Sequence, residues 1–168
     1  MIELKAIQKK MLSMLEEYAG CKAIPSNTTK NIPAYPYISF SVINIDTRKG
    51  TYSAYTGTKE VEGRETPIKF LVMPMSLKYS LTVQSDNEAE ALEIAMKVKD
   101  FFEEDKRQEL ADNEIIVADV GGITPRDTML TIEYEYRKGL DVTLRLNNVI
   151  VKEKEESFEN VTINDIEF

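Results

Sequence analysis

The chain has 168 residues, a length typical of one domain, and a formal net charge of −8 at pH 7. That charge repels duplex nucleic acid on average, so general nucleic-acid binding is not expected. The sequence has no histidine, which excludes Ser-His-Asp and Cys-His catalysis in their usual form, and its one cysteine, Cys21, allows no intramolecular disulfide.

Nothing in the sequence indicates a membrane protein. No apolar run approaches the ~18 residues that a membrane-spanning helix needs. The first five residues already mix acidic and basic groups, unlike a signal peptide. We therefore predict no membrane contact, and a protein made and used in a reducing cytoplasm, with Cys21 as a small buried hydrophobe.

The first third of the chain predicts a helix, a loop and a strand. Apolar residues at helical spacing predict a helix over 2–18, and Gly20 marks its end. Three prolines over 22–36 predict a loop. The aromatic and β-branched residues that follow predict a strand over 37–43.

Residues 46–68 are polar and poor in aliphatic side chains. We interpret them as a long hairpin arm or loop, because a loop of this length in a compact domain is usually functional or disordered. Tyrosines here alternate with small and charged groups, so a contact arm and a disordered excursion are both open. The residues expected to make the contact are Tyr52, Tyr55, Lys59 and Arg64.

The middle of the chain predicts a strand followed by a helix. Apolar and polar residues alternate over 69–84, as in a strand with one wet face. Ser85 and Glu88 match a capping box, which predicts a helix over about 86–105. Its narrow apolar stripe predicts that one side packs on a sheet, and residues 106–113 are expected to be loop or frayed helix.

The last third predicts strands around a turn. A short strand is expected over 115–118, a turn over 121–125 and a further strand over 128–136. Lys138 and Gly139 interrupt the alternation before it resumes. The interruption indicates either a bulge or bend in one long strand, or a tight hairpin.

Together these elements predict one domain over 1–168 of the α+β class. Helices do not alternate regularly with strands, so a doubly wound parallel sheet is not expected. We predict a mainly antiparallel sheet, with the N-terminal helix and the second helix, about 86–105, packed against it. An arm at 46–68 and an acidic C-terminal tail at 152–168 extend from it, and part of the tail either adds a strand or is solvated.

The best candidate for catalysis is a set of carboxylates near one lysine. Metal-dependent nucleases hold Mg²⁺ with oxygen ligands on adjacent strands. The alternation of the acidic residues with apolar ones is, however, what the wet face of any strand looks like. We therefore predict no enzyme, no metal and no cofactor. The residues of this set are Asp119, Asp127, Glu133, Glu135 and Lys138.

Three segments, taken in their order along the chain, carry a family resemblance. They are Pro33-Ala34-Tyr35-Pro36-Tyr37, the strand Tyr79–Gln84 that leads through Ser85-Asp86 into a helix, and Glu135-Tyr136-Arg137-Lys138-Gly139-Leu140-Asp141-Val142. In this order they resemble the neck and tail-terminator proteins of tailed bacteriophages and prophages. The resemblance covers roughly residues 30–150.

The resemblance implies a structural virion assembly protein, found in the bacterial host cytoplasm during assembly and then in the virion. Its subunits form a ring, commonly a hexamer, at the head-proximal end of the tail. The implied partners are further copies of the chain, the tail-tube protein and head-connector proteins, while DNA passes through the ring without specific binding. No catalytic residues carry over, and Tyr136, Arg137 and Asp141 would belong to a shared late strand pair.

Two other functions stay open at this point. One is a different virion component, in head completion or in the baseplate. The other is a soluble adaptor that binds a ligand without assembling. Self-assembly distinguishes the virion proteins from the adaptor, because similar sheets serve many purposes.

Overall fold

The computed structural model describes residues 4–28, 32–47, 53–61, 64–129 and 134–153. It confirms the α+β class. The helical segments are α1 (Leu4–Ala19), α2 (Glu88–Asp100), a π-helical turn (Phe101–Asp105) and α3 (Arg107–Asp112). The strands are β1 (Lys22–Pro25), β2 (Tyr37–Thr47), β3 (Ser53–Val61), β4 (Arg64–Ser85), β5 (Ile116–Val120), β6 (Thr124–Pro125), β7 (Thr128–Met129) and β8 (Tyr134–Glu153).

The sheet is mixed but mostly antiparallel. Its main strand order is β1-β2-β4-β8-β5, with β3 paired to β4, and with β6 and β7 paired to β8. β1 and β2 are parallel, and the other described pairs are antiparallel. The prediction of a mainly antiparallel sheet is therefore confirmed.

β4 is the long strand around which the sheet is built. Its 22 residues span about 70 Å at the usual rise of a strand. β8 occupies one edge of β4 from Ile68 to Ser85. β2 and β3 must therefore lie end to end along the other edge, β2 against residues 75–84 and β3 against residues 64–72.

One face of the sheet carries the hydrophobic core. Alternate residues of β4 and β8 face each other and are buried under the helices, because successive side chains of a strand point to opposite faces. On β4 and β8 these are Met75, Leu77, Tyr79, Leu81, Val83, Leu140, Val142, Leu144 and Leu146. The helical residues packed on them include Met11, Leu15, Ile94, Val98, Phe101 and Phe102.

The end of the first helix follows the sequence prediction. Gly20 has φ of +76°, a left-handed conformation that glycine adopts without a steric cost. Its backbone N–H donates to the Glu16 carbonyl at 2.9 Å. The next residue, Cys21, is half-buried, and burial is the main cause that raises the pKa of its thiol.

The start of α2 differs from the predicted capping box by two residues. The N-cap is Asn87, whose side-chain oxygen accepts from the Glu90 backbone N–H at 3.1 Å. Ser85 instead accepts from the Asn87 N–H at 3.1 Å and donates to the Glu90 carboxylate. Ser85 is the last residue of β4, so it is not the N-cap, and its hydroxyl joins the end of the strand to the first turn of α2.

The segment 22–36, predicted as loop, and the segment 106–113, predicted as loop or frayed helix, both contain regular structure. Within 22–36, the residues Lys22–Pro25 form β1, parallel to the first residues of β2. Within 106–113, the residues Arg107–Asp112 form α3, which buries Leu110 fully. Proline at the end of a short edge strand costs little, because its missing N–H is not needed there.

The predicted strand over 128–136 is wrong as a single strand. Thr128 pairs with Glu135 and Met129 with Tyr134, in antiparallel register, so the chain reverses between Met129 and Tyr134. The alternation of residues on both sides of the reversal looked like one strand. Leu130 to Glu133 lie outside the described residues.

The interruption at Lys138 and Gly139 is not a hairpin. β8 runs through both residues in unbroken register with β4, so it is one long strand without a bulge against that partner. In the predicted arm region, residues 53–61 pair with residues 64–72 of β4. Residues 154–168 of the acidic tail lie outside the described residues.

Candidate functional site

The polar face of the sheet, opposite the helices, carries a cluster centred on Arg126. The Nη1 of Arg126 donates to Ser80 Oγ at 2.7 Å and to Thr82 Oγ1 at 2.9 Å. Its Nη2 donates to Asp141 Oδ1 at 3.1 Å, and Lys78 Nζ lies 3.5 Å from the other oxygen of that carboxylate. Arg126 comes from the segment between β6 and β7 and spans β4 and β8.

The absence of a side chain at Gly139 leaves the space that the Arg126 side chain occupies. A Cβ built at position 139 would lie 2.6 Å from Arg126 Cδ and closer still to Nε and Cζ. Any other residue at 139 would displace the guanidinium group. Gly139 is therefore a site of close approach, which is one of the known reasons for glycine within a strand.

The Asp141 carboxylate is held in its charged form. Burial works to raise its pKa, but the hydrogen bonds from Arg126 and Ser80, with the charges of Arg126 and Lys78, outweigh it and lower the pKa. The cluster therefore has an ionised carboxylate shared by two cations.

A second polar group lies on β8, centred on Glu135, four residues before Gly139 and on the same face of the sheet. Glu135 is only 4% exposed, and its carboxylate accepts from the Tyr35 hydroxyl at 2.6 Å. Arg137 makes an ion pair with the same carboxylate. Burial, followed by the hydrogen bond to Glu135, raises the pKa of Tyr35, so the neutral donor is favoured.

A third group joins β8 to the start of α2. Lys138 is buried, and its ammonium lies 3.0 Å from Asp127 Oδ2 and 3.3 Å from Glu88 Oε1. Burial works to lower the pKa of Lys138, but the two carboxylates outweigh it and raise the pKa. For Asp127, burial works to raise the pKa, but the Arg137 backbone N–H and Lys138 lower it below the usual value.

The structure breaks up the carboxylate set that resembled a nuclease site. Asp127 pairs with Lys138, whereas Glu135 pairs with Arg137 and is buried rather than on a wet face. Asp119 lies on β5, opposite Thr143, and Glu133 is outside the described residues. Within the described parts of the chain, no group of three or more His, Cys, Asp or Glu side chains is placed to hold a metal ion.

The residues predicted to make contacts fall into two groups. Tyr55 and Lys59 lie on β3, both exposed, and Arg64 is the first residue of β4, opposite Val61. The ring of Tyr55 stacks on that of Phe70 with centroids 4.8 Å apart. Tyr52 lies outside the described residues.

The other group lies on β8. Arg137 and Asp141 belong to the polar clusters described above, and Tyr136 is half-buried, with its ring 5.1 Å from that of Tyr134. Since Phe70 and Gln84 are the β4 partners of Tyr55 and Arg137, the two groups are about 46 Å apart along β4. The structure does not bring them together.

Arg126 was missed by the sequence reasoning. It follows Pro125 in a short polar segment with no periodicity, so its own surroundings carried no signal. Gly139 was the available signal, because a glycine in an otherwise regular strand indicates close approach of another group. The sequence did not identify what approached.

The fold and the clusters define a class. This is an α+β protein whose sheet holds three ion pairs within the chain, Arg126 with Asp141, Arg137 with Glu135 and Lys138 with Asp127. No described helix has both the length and the apolar character to cross a membrane.

The chain belongs to the phage neck terminator protein family, whose model matches residues 4–168. Members of this family have a structural role at the neck or tail end of the phage virion. No match to a curated protein is found.

Proposed function

We propose that the chain is a ring-forming neck terminator subunit, which assembles with copies of itself, commonly six, at the head-proximal end of a phage tail. The observation that carries this proposal is the outer edge of β2. β1 pairs only with residues 37–40, so residues 41–47 have no strand on their outer side among the described residues. This edge exposes Val42, Ile43 and Ile45, the last with 56% of its surface accessible.

A run of exposed aliphatic residues at a sheet edge favours association. Isolated exposed hydrophobic residues are ordinary, but a contiguous set marks an interaction surface. An uncovered edge also offers backbone groups to a strand from another chain. Tyr55, 52% exposed, lies further along the same side of β4, on β3.

The neighbouring edge at β1 is protected from strand addition. The Ala23 backbone N–H already donates to Glu16 Oε1 at 2.8 Å, and Pro25 has no N–H to offer. Ala23 and Pro25, the two residues of β1 whose backbone groups face away from β2, therefore have no free N–H to donate to a new strand. Association by strand addition is directed to residues 41–47 instead.

A closed ring needs two different surfaces on each subunit, because head-to-tail contacts join unlike patches. The opposite side of the sheet, at β5, β7 and β8, supplies a second set of exposed apolar residues. These are Met129 and Tyr134, which pair with each other, and Ile116, about 36 Å away along β8. Exposed apolar sets on opposite edges of one sheet support a heterologous contact rather than a two-fold dimer.

The partners in this proposal are the tail-tube protein below the ring and the head-connector proteins above it. DNA would pass through the ring without specific binding, since the net charge of −8 disfavours adhesion of a polyanion. Assembly takes place in the host cytoplasm before the ring is built into the virion.

Mass in solution tests the proposal. Light scattering coupled to size exclusion, over a concentration series, should show a species of several subunits, and negative-stain images of that peak should show closed rings. A chain that is monomeric at every concentration, and that also fails to bind tail-tube protein in a pull-down, would contradict the proposal and favour the non-assembling adaptor.

A further inference from the structure

A hollow on the polar face of the sheet has a cationic wall and an apolar wall. Its volume is about 380 Å³, and among the described residues the charged ones that line it are Arg126 and Arg137. Ile24, Pro25 and Ile32 line it on the apolar side. Planar guanidinium groups suit carboxylates, and aliphatic walls suit apolar side chains, so the lining fits a peptide that carries both.

The charge of this hollow is opposite to that of the chain as a whole. The two lining arginines and their ion-pair partners make three cations and two carboxylates: Arg126 and Lys78 share Asp141, while Arg137 pairs with Glu135. One positive charge is therefore in excess, although the net charge of the chain is −8. The described contacts of Arg126 use three of the five N–H groups of a guanidinium, which leaves capacity for a further acceptor.

We propose that this hollow binds the acidic segment 154–168 of a neighbouring copy in the assembled ring. The segment carries both acidic and apolar residues, the two kinds of side chain that the lining of the hollow suits. Its acidic residues are Glu155, Glu156, Glu159, Asp165 and Glu167, and its apolar residues are Phe158, Val161, Ile163, Ile166 and Phe168. The inference rests on the proposed self-assembly and names the partner of one of its surfaces.

Chain length limits which part of the segment could return to its own subunit. β8 ends at Glu153. Gly139, over which Arg126 packs, lies on the same strand, about 46 Å from Glu153. The residues from Glu153 to Val161 reach about 28 Å when fully extended. The first half of the acidic segment therefore cannot return to its own hollow, so a contact between Val161 and a hollow has to be made with another copy.

The chemistry favours a peptide over nucleic acid as the occupant. A phosphate backbone would gain from the arginines but not from the walls formed by Ile24 and Ile32. A neighbour's segment supplies both the carboxylates and the aliphatic groups, at the high local concentration that assembly gives.

Disulfide trapping between full-length chains tests this inference. In a Cys21→Ala background, one chain carries Ser26→Cys, an exposed residue that lines the hollow, and a second, affinity-tagged chain carries Val161→Cys. Oxidation of the mixture should give a heterodimer on a denaturing gel. Glu93→Cys, exposed on α2, replaces Ser26→Cys in the matched control and should give a yield about tenfold lower.

A second pair of samples tests the charges of the segment. Glu155→Gln, Glu156→Gln and Glu159→Gln, added to the Val161→Cys chain, should lower the yield about fivefold at low salt. Equal yields from Ser26→Cys and Glu93→Cys would overturn the inference. If light scattering of those samples shows rings, only the docking is wrong; if it shows monomers, the proposed assembly fails with it.

Two further outcomes would also overturn it. A cross-link that forms within one doubly substituted chain but not between chains would mean that the segment returns to its own subunit. Failure of the cross-link to form when a short DNA duplex is present before oxidation, at moderate salt, would mean that the hollow is a nucleic-acid site.

Discussion

Arg126 lies over the backbone of Gly139, in the space that any side chain at position 139 would occupy. This relationship allows one residue from a connecting segment to bind Ser80 and Thr82 on β4 and Asp141 on β8 at once. The two longest strands of the sheet are joined by their backbone ladder and also by this side chain. Gly139 is thus required by a contact rather than by its own backbone conformation.

Gly139→Ala should destabilise the protein. The added methyl group displaces Arg126 and removes its hydrogen bonds to a partly buried carboxylate, so we expect the free energy of unfolding to fall by about 2 kcal/mol. Urea denaturation measures it. Gly122→Ala is the matched control, because nothing lies within 4 Å of its added Cβ, and it should change stability by less than about 0.5 kcal/mol.

A double-mutant cycle makes the same prediction sharper. In an Arg126→Ala background the space above residue 139 is empty, so Gly139→Ala should cost nothing there. An equal cost in both backgrounds would show that the strand, and not Arg126, demands glycine.

Tyr35→Phe should destabilise the protein through the buried Glu135. The substitution keeps the ring, which stacks on Tyr37 with centroids 5.6 Å apart, and removes only the hydroxyl that donates to the carboxylate. A hydrogen bond to a charged group contributes about 1–3 kcal/mol, and we expect a loss of that size in thermal or urea unfolding. Tyr134→Phe, at a half-exposed position, is the control and should be near neutral. Equal effects of the two substitutions would mean that the hydroxyl of Tyr35 does not stabilise Glu135.

Asp127→Asn should reveal an acid-dependent contribution to stability. The amide can still accept from the Arg137 N–H, but the one charged partner left to Lys138 among the described residues is Glu88, whose side chain is 63% exposed. A loss of about 1–3 kcal/mol is expected at neutral pH. The folded pKa of Asp127 is below its unfolded value of about 3.9, so its contribution is complete above that value and is lost as pH falls through the folded pKa.

The difference in stability between the native chain and Asp127→Asn should therefore shrink as the pH is lowered below about 4. Lys138 stays charged over this range, because its pKa is raised above the usual lysine value. Its own contribution to stability is therefore lost only at alkaline pH. Asp112→Asn, exposed at the end of α3, serves as the control. A difference that is constant from neutral to acid pH would argue against a charge effect.

The parts of the fold that periodicity encodes were predictable from the sequence. α1 and the alternating strands 37–43, 69–84 and 115–118 each put an apolar face on one core, and local pattern alone specifies that. The family resemblance was predictable too, because it rests on the order of short segments, and the match over residues 4–168 confirms it.

The features that were missed depend on partners distant in sequence. β1 is four residues long and is a strand only because β2 lies beside it, which composition does not show. The reversal between Met129 and Tyr134 kept the alternation unbroken, so periodicity could not reveal it. Glu135 looked like a wet-face residue because its burial comes from Tyr35, one hundred residues earlier.

Ile45→Lys should abolish assembly and leave the subunit folded. Ile45 is 56% exposed in the monomer, so a lysine there is solvated, and pairing of β2 with β4 does not depend on that side chain. In the proposed ring the residue is covered by a neighbour. Loss of a buried isoleucine costs about 2 kcal/mol, or about 30-fold in affinity at every interface of the ring.

Light scattering should then show Ile45→Lys as a monomer at concentrations where the native chain forms rings, with an unchanged thermal midpoint. Met96→Lys, on α2 and 53% exposed, makes the same kind of change away from the β2 edge and should assemble normally. Ile43→Lys, on the β2 edge itself, should behave as Ile45→Lys does. Rings formed by both edge variants as readily as by the native chain would remove the β2 edge from the interface, and the contact would then have to lie on β3 or on the opposite side of the sheet.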